Sequence, residues 1–173
     1  ALLALSGELT TTRDAVRIDG QGMGDQGPVA RRRAGLVAAP EERLGHAAAP
    51  DMSLVENALL SGAVRQGLVQ RGFIDWAKTA RFAEQIVQAF DVRTPGTHVA
   101  ARALSGGNLQ KFVVGRELSQ TPSVIVINQP TWGVDAAAAA SIRQAILDRA
   151  AGGAAVVVIS QVATNGAVPP KIV

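Results

Sequence analysis

Three short apolar runs predict the strands of a buried sheet. They cover 36–39, 124–127 and 154–159, and each is uniformly apolar, as expected of strands that are covered on both faces. A helical stretch, 136–150, follows Asp135 as its N-cap and separates the last two runs. A strand, a helix and a strand with short links form a βαβ unit, so we expect these two strands to be parallel and adjacent or nearly so.

Helical spacing dominates the middle of the chain. Ser53 and Glu56 have the Ser-x-x-Glu spacing of a capping box, which predicts a helix over about 54–61. Asp75 is placed to cap a longer helix, 76–90, in which apolar residues recur at helical spacing. The residues of this predicted packing stripe are Trp76, Ala80, Ala83, Val87 and Phe90.

The remaining segments carry shorter patterns. Residues 1–6 predict the end of a helix, and this start without a Met indicates a fragment. The alternation of 14–19 predicts a half-exposed strand, and Pro28 suits the first turn of a short helix. Residues 62–72 are a weakly patterned connector, and 162–173 are irregular.

Together these elements predict a mixed α/β fold with a helical insertion. We expect a partial α/β core over 1–49 and a helical part over 50–118, whose last helix is 108–118. The rest of the α/β core is expected over 119–161, and an irregular tail over 162–173.

The composition supports an apolar core and narrows the classes of partner. Hydrophobic residues make up 47% of the chain and aromatic residues only 3%, so the core must rest on Ala, Val, Leu and Ile. The net charge of +3 is mild, and the basic run 31–33 is interpreted as a solvated helix end, so no nucleic-acid partner is expected. The absence of cysteine excludes disulfides and Cys-ligated metals. No apolar run approaches the ~20 residues that cross a bilayer.

The stretch Ser105-Gly106-Gly107-Asn108, at the start of a predicted helix, carries the clearest candidate chemistry. Two glycines let a ligand approach the backbone, and the N–H groups and dipole at a helix start attract anions, most naturally a phosphate. The serine hydroxyl adds a donor. On the tripeptide Ser-Gly-Gly alone, an ordinary N-cap with a glycine turn is the better interpretation.

The residues around this tripeptide favour a functional interpretation over an ordinary N-cap. Residues 104–111, Leu-Ser-Gly-Gly-Asn-Leu-Gln-Lys, closely resemble the signature motif of ATP-binding-cassette (ABC) ATPases, in the form typical of subunits that import sugars and nucleosides. Asn128-Gln129-Pro130-Thr131, after an apolar run, resembles the Walker B region, and Gly133-Val134-Asp135 resembles the D-loop. Pro40-Glu41-Glu42-Arg43 resembles the Q-loop region. Four motifs in the family's order are a specific signal, and the resemblance covers about residues 1–160, closest to the second cassette of tandem importer subunits.

This resemblance implies a P-loop NTPase-like fold with an inserted helical subdomain, and ATP with Mg²⁺ as cofactors of the intact assembly. Because ABC sites form between two cassettes, it implies a second cassette and transmembrane permease subunits as partners. It also implies a peripheral position on the cytoplasmic face of the membrane. The implied site residues are Ser105, Gly106, Gly107, Asn108 and Gln110 for ATP, Asp135 in the D-loop and Glu41 in the coupling loop, with no metal ligand from this chain.

The chain departs from the family pattern at the positions that hold and hydrolyse ATP. Its 173 residues contain no Gly-x-x-x-x-Gly-Lys-Ser/Thr loop. Asn128 occupies the Walker B Asp position, and Gln129 occupies that of the catalytic Glu. An amide can orient a water but cannot accept its proton, and such a base contributes typically ~10²–10⁴-fold in rate. Ser160 and Gln161 begin a switch region without His, and 162–173 resemble nothing in the family, which fits a frameshift or an artefact.

These features predict the non-catalytic half of an asymmetric ATPase pair that powers import of a nucleoside or simple sugar. The isolated chain is expected to be inactive. The alternative is a truncated, non-enzymatic binding or structural fragment. A non-transport ABC protein acting on DNA or ribosomes is disfavoured, because coiled-coil arms and basic tracts are lacking.

A few single residues leave alternatives open. Trp132 can be interpreted as part of an interface between cassettes or as a residue that packs on its own domain. Glu41 can be interpreted as a coupling-loop residue or as a carboxylate in a solvated loop. Asp135 can be both a D-loop residue and a plain N-cap. His46 and His98 are interpreted as loop histidines. The residues Ser53, His46 and Asp51 are close in sequence, but the capping box already explains Ser53.

Overall fold

The computed structural model describes residues 2–160. The helices are α1 (Leu2–Ser6), α2 (Pro28–Arg33), α3 (Leu54–Gly62), α4 (Trp76–Ala89), α5 (Gly106–Leu118) and α6 (Ala136–Ala151). The strands are β1 (Arg17–Ile18), β2 (Gln21–Gly22), β3 (Leu36–Ala39), β4 (Val69–Gln70), β5 (Phe73–Ile74), β6 (Val124–Asn128) and β7 (Ala155–Ile159). Short 3₁₀ turns cover Arg13–Ala15 and Ala101–Ala103. The predicted tail, 162–173, lies outside the described residues.

Strands β3, β6 and β7 form one parallel sheet in that order, which confirms the predicted βαβ unit. In register, Val124 of the central strand pairs with Leu36 on one side and Ala155 on the other. The prediction that the last strand is fully buried is wrong, because both ends of β7 are exposed. Within residues 2–160 this strand forms the edge of the sheet, whereas β6 buries its central residues between two neighbours.

Two small antiparallel hairpins were not expected from the hydrophobic pattern. The predicted strand over 14–19 is wrong in extent, because only Arg17–Ile18 is extended and the chain turns back at Asp19 and Gly20, with φ angles of 48° and 78°. The connector over 62–72 contains most of the second hairpin, β4–β5, which turns at Arg71 and Gly72, with φ angles of 51° and 85°. Two consecutive residues with positive φ are typical of tight hairpin turns.

Helix α3 begins at the predicted capping box. The Ser53 hydroxyl accepts from the Glu56 N–H, and the Glu56 carboxylate accepts from the Ser53 N–H at 2.7 Å. These bonds lower the pKa of Glu56, because they stabilise its charged form.

The predicted packing stripe of α4 is confirmed for four of its five residues, because Ala83 is buried and Ala80, Val87 and Phe90 pack partly buried against the core. The buried residues are Thr79, Phe82, Ala83 and Ile86, whereas Trp76 is 51% exposed. Phe82 and Ile86 extend the apolar face to one side of Ala83, and Trp76 sits in the first turn, beyond the packed surface. The buried face is the one that packs against α3 and α5.

The basic run 31–33 is not a solvated helix end. Arg31 is completely buried and donates to the carbonyls of Ala4, Leu5, Gly24 and Gln26, so one guanidinium joins the end of α1 to the loop before α2. Arg32 pairs with the buried carboxylate of Glu117 in α5, and of the three only Arg33 is exposed. Five donors per guanidinium make such burial tolerable.

A buried polar network joins α5 to α2, to α3 and to the loop before α3. Arg116 and Glu117 are both buried and lie 2.9 Å apart from Nη2 to Oε1. Arg116 also donates to the carbonyls of Asn57 and Ala47. Burial lowers the pKa of Arg116; it acts to raise that of Glu117, but Arg116 and Arg32 outweigh it and hold the pKa of Glu117 below its ordinary value.

One apolar cluster spans both the helical part and the sheet. It includes Val37 and Ile125 of the strands together with Leu54, Ile86 and Phe112 of the helices. The predicted division of the chain into 1–49, 50–118 and 119–161 therefore stays a prediction. Within residues 2–160, the helices are all too short or too polar to cross a bilayer.

Candidate functional site

Ser105 caps the N-terminus of α5 and lies at the protein surface with Gly106. Its backbone is extended, with φ −60° and ψ 153°, and its Oγ accepts from the Asn108 N–H at 3.4 Å and from Asn108 Nδ2 at 2.9 Å. The exposed first turn of this 13-residue helix carries N–H groups and the positive end of the helix dipole. The turn is thus suited to an anion.

The Asn108 side chain holds this turn against a neighbouring loop. While Nδ2 donates to Ser105, Oδ1 accepts from the Arg93 N–H at 2.9 Å. Asn108 thereby uses both ends of its amide, which fixes the orientation of the Ser105 hydroxyl. Its role as a direct ATP contact stays a prediction.

Gln110 lies inside the protein rather than on the exposed face of the turn. It is 2% exposed, and its Nε2 donates to the carbonyls of Gln129 at 3.3 Å and Pro130 at 3.0 Å. The amide therefore ties the signature helix to the turn after β6. A direct contact of Gln110 with ATP stays a prediction, and in this structure its amide nitrogen is bonded to the Gln129 and Pro130 carbonyls.

The strand-end residues Asn128 and Gln129 sit at the carboxyl end of the central strand, where ligands bind in parallel sheets. Asn128 Nδ2 donates to Glu41 Oε2 at 3.2 Å, because β3 and β6 are neighbours and their following loops meet. Gln129 is 5% exposed, has a φ of 52°, and donates its N–H to the Ile159 carbonyl. Neither amide can accept a proton as a carboxylate does.

Asp135 caps α6 by accepting from the Ala138 N–H at 2.9 Å, and this bond lowers the pKa of Asp135. The turn before it lies against the signature, since a Cβ at Gly107 would be 3.4 Å from the Gly133 carbonyl oxygen. Trp132, in the same turn, is 57% exposed. The capping role of Asp135 is observed, and its D-loop role stays a prediction.

Sequence reasoning missed Arg43. Its Nη1 donates to the Gly106 carbonyl at 2.8 Å and its Nη2 to the Trp132 carbonyl at 3.1 Å, so it connects the loop after β3 to both turns. In the sequence, Arg43 appears only as the last residue of the motif Pro40-Glu41-Glu42-Arg43. Its partners lie 63 and 89 residues away, and no local pattern reports such contacts.

The remaining candidates form no second site. Ser53 stays within its capping box, and Asp51 pairs with Arg102. His46 is not isolated, because its Nε2 lies 2.6 Å from Glu8 Oε2. These contacts diverge from one another and exclude a Ser-His-Asp triad in this conformation.

The arrangement fits a phosphate better than a divalent cation. The Ser105 turn offers N–H and hydroxyl donors, whereas Mg²⁺ prefers carboxylate and water oxygens. In the described part of the chain, no group of three or more His, Cys, Asp or Glu side chains is placed to hold a metal ion. A phosphate is therefore the kind of group that these residues can contact.

Curated proteins similar to this chain are import ATP-binding proteins. The chain is 36% identical over 161 residues to the glucose import ATP-binding protein TsgD13 of Haloferax volcanii, a match covering 91% of the chain and 29% of that protein. It is 35% identical over 145 residues to the ribose import ATP-binding protein RbsA 1 of Agrobacterium fabrum, covering 84% and 28%. The guanosine import ATP-binding protein NupO of Bacillus subtilis is 29% identical over 157 residues, covering 91% and 31%. The chain thus spans about three tenths of the length of these relatives, and no protein-family model matches it.

Solved structures with the same fold are ATP-binding cassettes. A dimeric cassette in a post-hydrolysis state with ADP and Pi superposes with a TM-score of 0.69 at 22% identity, covering 83% of this chain and 61% of that one. An ATP-binding subunit of an ABC transporter also gives 0.69, at 19% identity, covering 91% and 60%. These likenesses establish the fold.

The chain has the fold of part of an ATP-binding cassette. Within that class, the chain is a homologue of the ATP-binding proteins of sugar and nucleoside importers.

Proposed function

We propose that this cassette takes part in ATP-driven import of a nucleoside or simple sugar, by presenting its signature turn to ATP held by a second cassette. The observation that carries the proposal is the difference between the Ser105 turn and the end of strand β6. The Ser105 turn is exposed and held in position, whereas the strand-end positions of hydrolysis hold the amides of Asn128 and Gln129.

The Ser105 turn supports the phosphate-binding half of the proposal. In its described hydrogen bonds the Ser105 oxygen only accepts, from Asn108, so its own hydrogen is directed elsewhere and can meet a phosphate oxygen. The N–H groups of Gly106 and Gly107 begin the helix beside it. These are the donors that the γ-phosphate of the partner's ATP would contact.

The strand-end amides support a non-catalytic role for the cassette's own site. Asn128 is hydrogen-bonded to Glu41 and carries no charge to attract Mg²⁺. Gln129 can orient a water but cannot take its proton. The ATP and Mg²⁺ of the working site would therefore be held by the partner.

A surface groove supports a permease as the other partner. It has a volume of about 450 Å³ and is lined by residues of α1, α2, β3, the loop after β3, α3 and α5. Its lining includes Pro40, Gly45, His46, Leu60 and Ser61. A permease segment seated there would lie close to Glu41, and the cassette would be peripheral on the cytoplasmic face of the membrane.

Replacing Ser105 by Arg in the assembled transporter tests the proposal. The larger cation would fill the phosphate position, so ATPase activity and transport should be lost. Ser141→Arg, which adds the same charge to an exposed position of α6, is the matched control and should leave activity near the wild-type level. Gln129→Glu should change turnover little. Normal turnover of Ser105→Arg would overturn the proposal.

The rival function is a non-enzymatic binding or structural role, which the two strand-end amides also favour. It predicts that Ser105→Arg and Ser141→Arg behave alike in every assay of the assembly. Calorimetry on the isolated chain adds a second check. We expect no ATP hydrolysis and weak or no ATP binding, and a micromolar Kd would contradict a site completed only by a partner.

A further inference from the structure

Arg43 makes the only described side-chain contact that reaches the signature turn and the 131–135 turn together. The guanidinium bonds the carbonyls of Gly106 and Trp132 with two different nitrogens, at 2.8 and 3.1 Å. A planar fork can hold two acceptors at a fixed angle, which a single ammonium cannot do as rigidly. Arg43 therefore bridges two turns that also pack directly against each other at Gly107 and Gly133.

Two glycines make room for this guanidinium. A Cβ at Gly106 would lie 2.8 Å from Arg43 Nη1, and one at Gly133 would lie 3.0 Å from Nη2. Gly133 also has a φ of +66°, which favours glycine by itself, but the backbone of Gly106 is outside the left-handed region. A side chain at position 106 would therefore have to displace the Arg43 guanidinium, which is the flexible end of its side chain.

We propose that Arg43 is a positioning residue that holds the signature turn at its working distance from the 131–135 turn and couples both to the loop after β3. The inference rests on the proposed function, because it assigns a purpose to the geometry of the signature. Glu41, two residues away, contacts Asn128, so the same loop touches the strand end and the signature turn. A partner that displaces this loop would move the phosphate donors through Arg43.

A double-mutant cycle on the isolated chain tests the contact itself. Gly106→Ala should shift the urea midpoint modestly downward in the wild-type background, because the methyl group displaces the flexible guanidinium from its hydrogen bonds. In an Arg43→Ala background the shift should vanish or reverse, since alanine suits the first turn of a helix better than glycine. Equal shifts in both backgrounds would overturn the inference.

The fluorescence of Trp132 provides a measurement that does not depend on the overall stability of the protein. In a Trp76→Phe background it is the single tryptophan, so its fluorescence anisotropy reports on its turn alone. Arg43→Ala should lower this anisotropy under native conditions, Arg43→Lys should lower it less, and Arg102→Ala should leave it unchanged. Unchanged anisotropy in Arg43→Ala would contradict a positioning role.

Steady-state kinetics of the assembled transporter complete the test. Arg43→Ala should lower kcat by up to about 10²-fold, the cost of misplacing a catalytic group by roughly 1 Å, while the KM for ATP changes little because the partner holds the nucleotide. A normal kcat would defeat the positioning inference even if Ser105→Arg abolishes activity. If Ser105→Arg is itself fully active, the proposed function fails, and the double-mutant cycle still reports on the contact.

Discussion

Arg32 of α2 donates to the carboxylate of Glu117 in α5 across 2.7 Å, and that carboxylate is completely buried. The pair links the helix before β3 to the helix that begins with the signature turn. Because Arg116 bonds the other oxygen of Glu117, a single buried carboxylate serves two guanidinium groups. The stability of the signature helix should therefore depend strongly on one acidic residue.

Glu117→Gln should lower the free energy of unfolding by about 3–5 kcal/mol, the usual cost of removing one partner from a buried ion pair. The amide keeps the shape but leaves both arginines without a countercharge. Urea denaturation followed by circular dichroism measures the loss. The matched control is Asp51→Asn, whose pair with Arg102 is 73% and 67% exposed and should contribute about 0–1 kcal/mol. Similar losses in the two variants would contradict the buried network.

The same carboxylate predicts a pH dependence. The pKa of Glu117 is lowered below its ordinary 4.5 in the folded protein, so the unfolded chain binds its proton more readily. Its contribution is complete above about pH 4.5 and is lost as the pH falls through the lower folded pKa. Unfolding curves between neutral and acidic pH should show a steeper fall for the wild type than for Glu117→Gln. Parallel profiles would count against this assignment.

A carboxylate at position 128 should destabilise the fold. Asn128→Asp would replace a hydrogen bond with Glu41 by two like charges, at a cost of about 1 kcal/mol in a solvated setting. Thermal unfolding at neutral pH and low salt measures the effect.

Glu41→Gln supplies the control for that substitution. In the Glu41→Gln background the new aspartate faces an amide, so Asn128→Asp should lose most of its cost. An equal loss in both backgrounds would show that the two loops do not interact. Added salt should also reduce the difference, since the pair is exposed.

Gly115→Ala should destabilise the chain by about 1–3 kcal/mol through overpacking, although alanine is the better helix former. A Cβ there would lie 2.5 Å from Phe90 Cδ2, so α5 packs on Phe90 without space for a methyl group. Gly96→Ala is the control, because a Cβ at position 96 has open space around it, and it should stay within about 0.5 kcal/mol of wild type. Phe90→Leu should partly rescue Gly115→Ala, and a failure of rescue would point to a different cause.

Local chemistry explains which elements could be predicted. The strands of the parallel sheet and the Ser53 capping box depend on residues a few positions apart, and both are present. The β1–β2 turn, Asp19-Gly20, is a recognisable hairpin signal, but its strands are too short to show alternation. The burial of Glu117 depends on Arg32, which is 85 positions away, and no periodicity reports such a partner.

The candidate site likewise has features that the sequence predicts and features that it does not. The Ser105 and Asn128 motifs are contiguous strings, so resemblance to a family finds them. Their side-chain bonding is tertiary: Gln110 is turned inward onto the loop of Gln129, and Arg43 reaches two turns. Sequence alone therefore indicates the candidate residues that lie within contiguous motifs, but neither the role of Arg43 nor which residues contact each other.

The restraint of the Ser105 turn has a thermodynamic consequence. Asn108 orients its hydroxyl, and Arg43 holds its backbone, before any ligand arrives. A phosphate that docks there would meet donors whose conformational entropy was largely lost when the chain folded, so the ordering cost of association would be small. Loosening either contact should then make binding to this face more entropically unfavourable without removing a single donor from it.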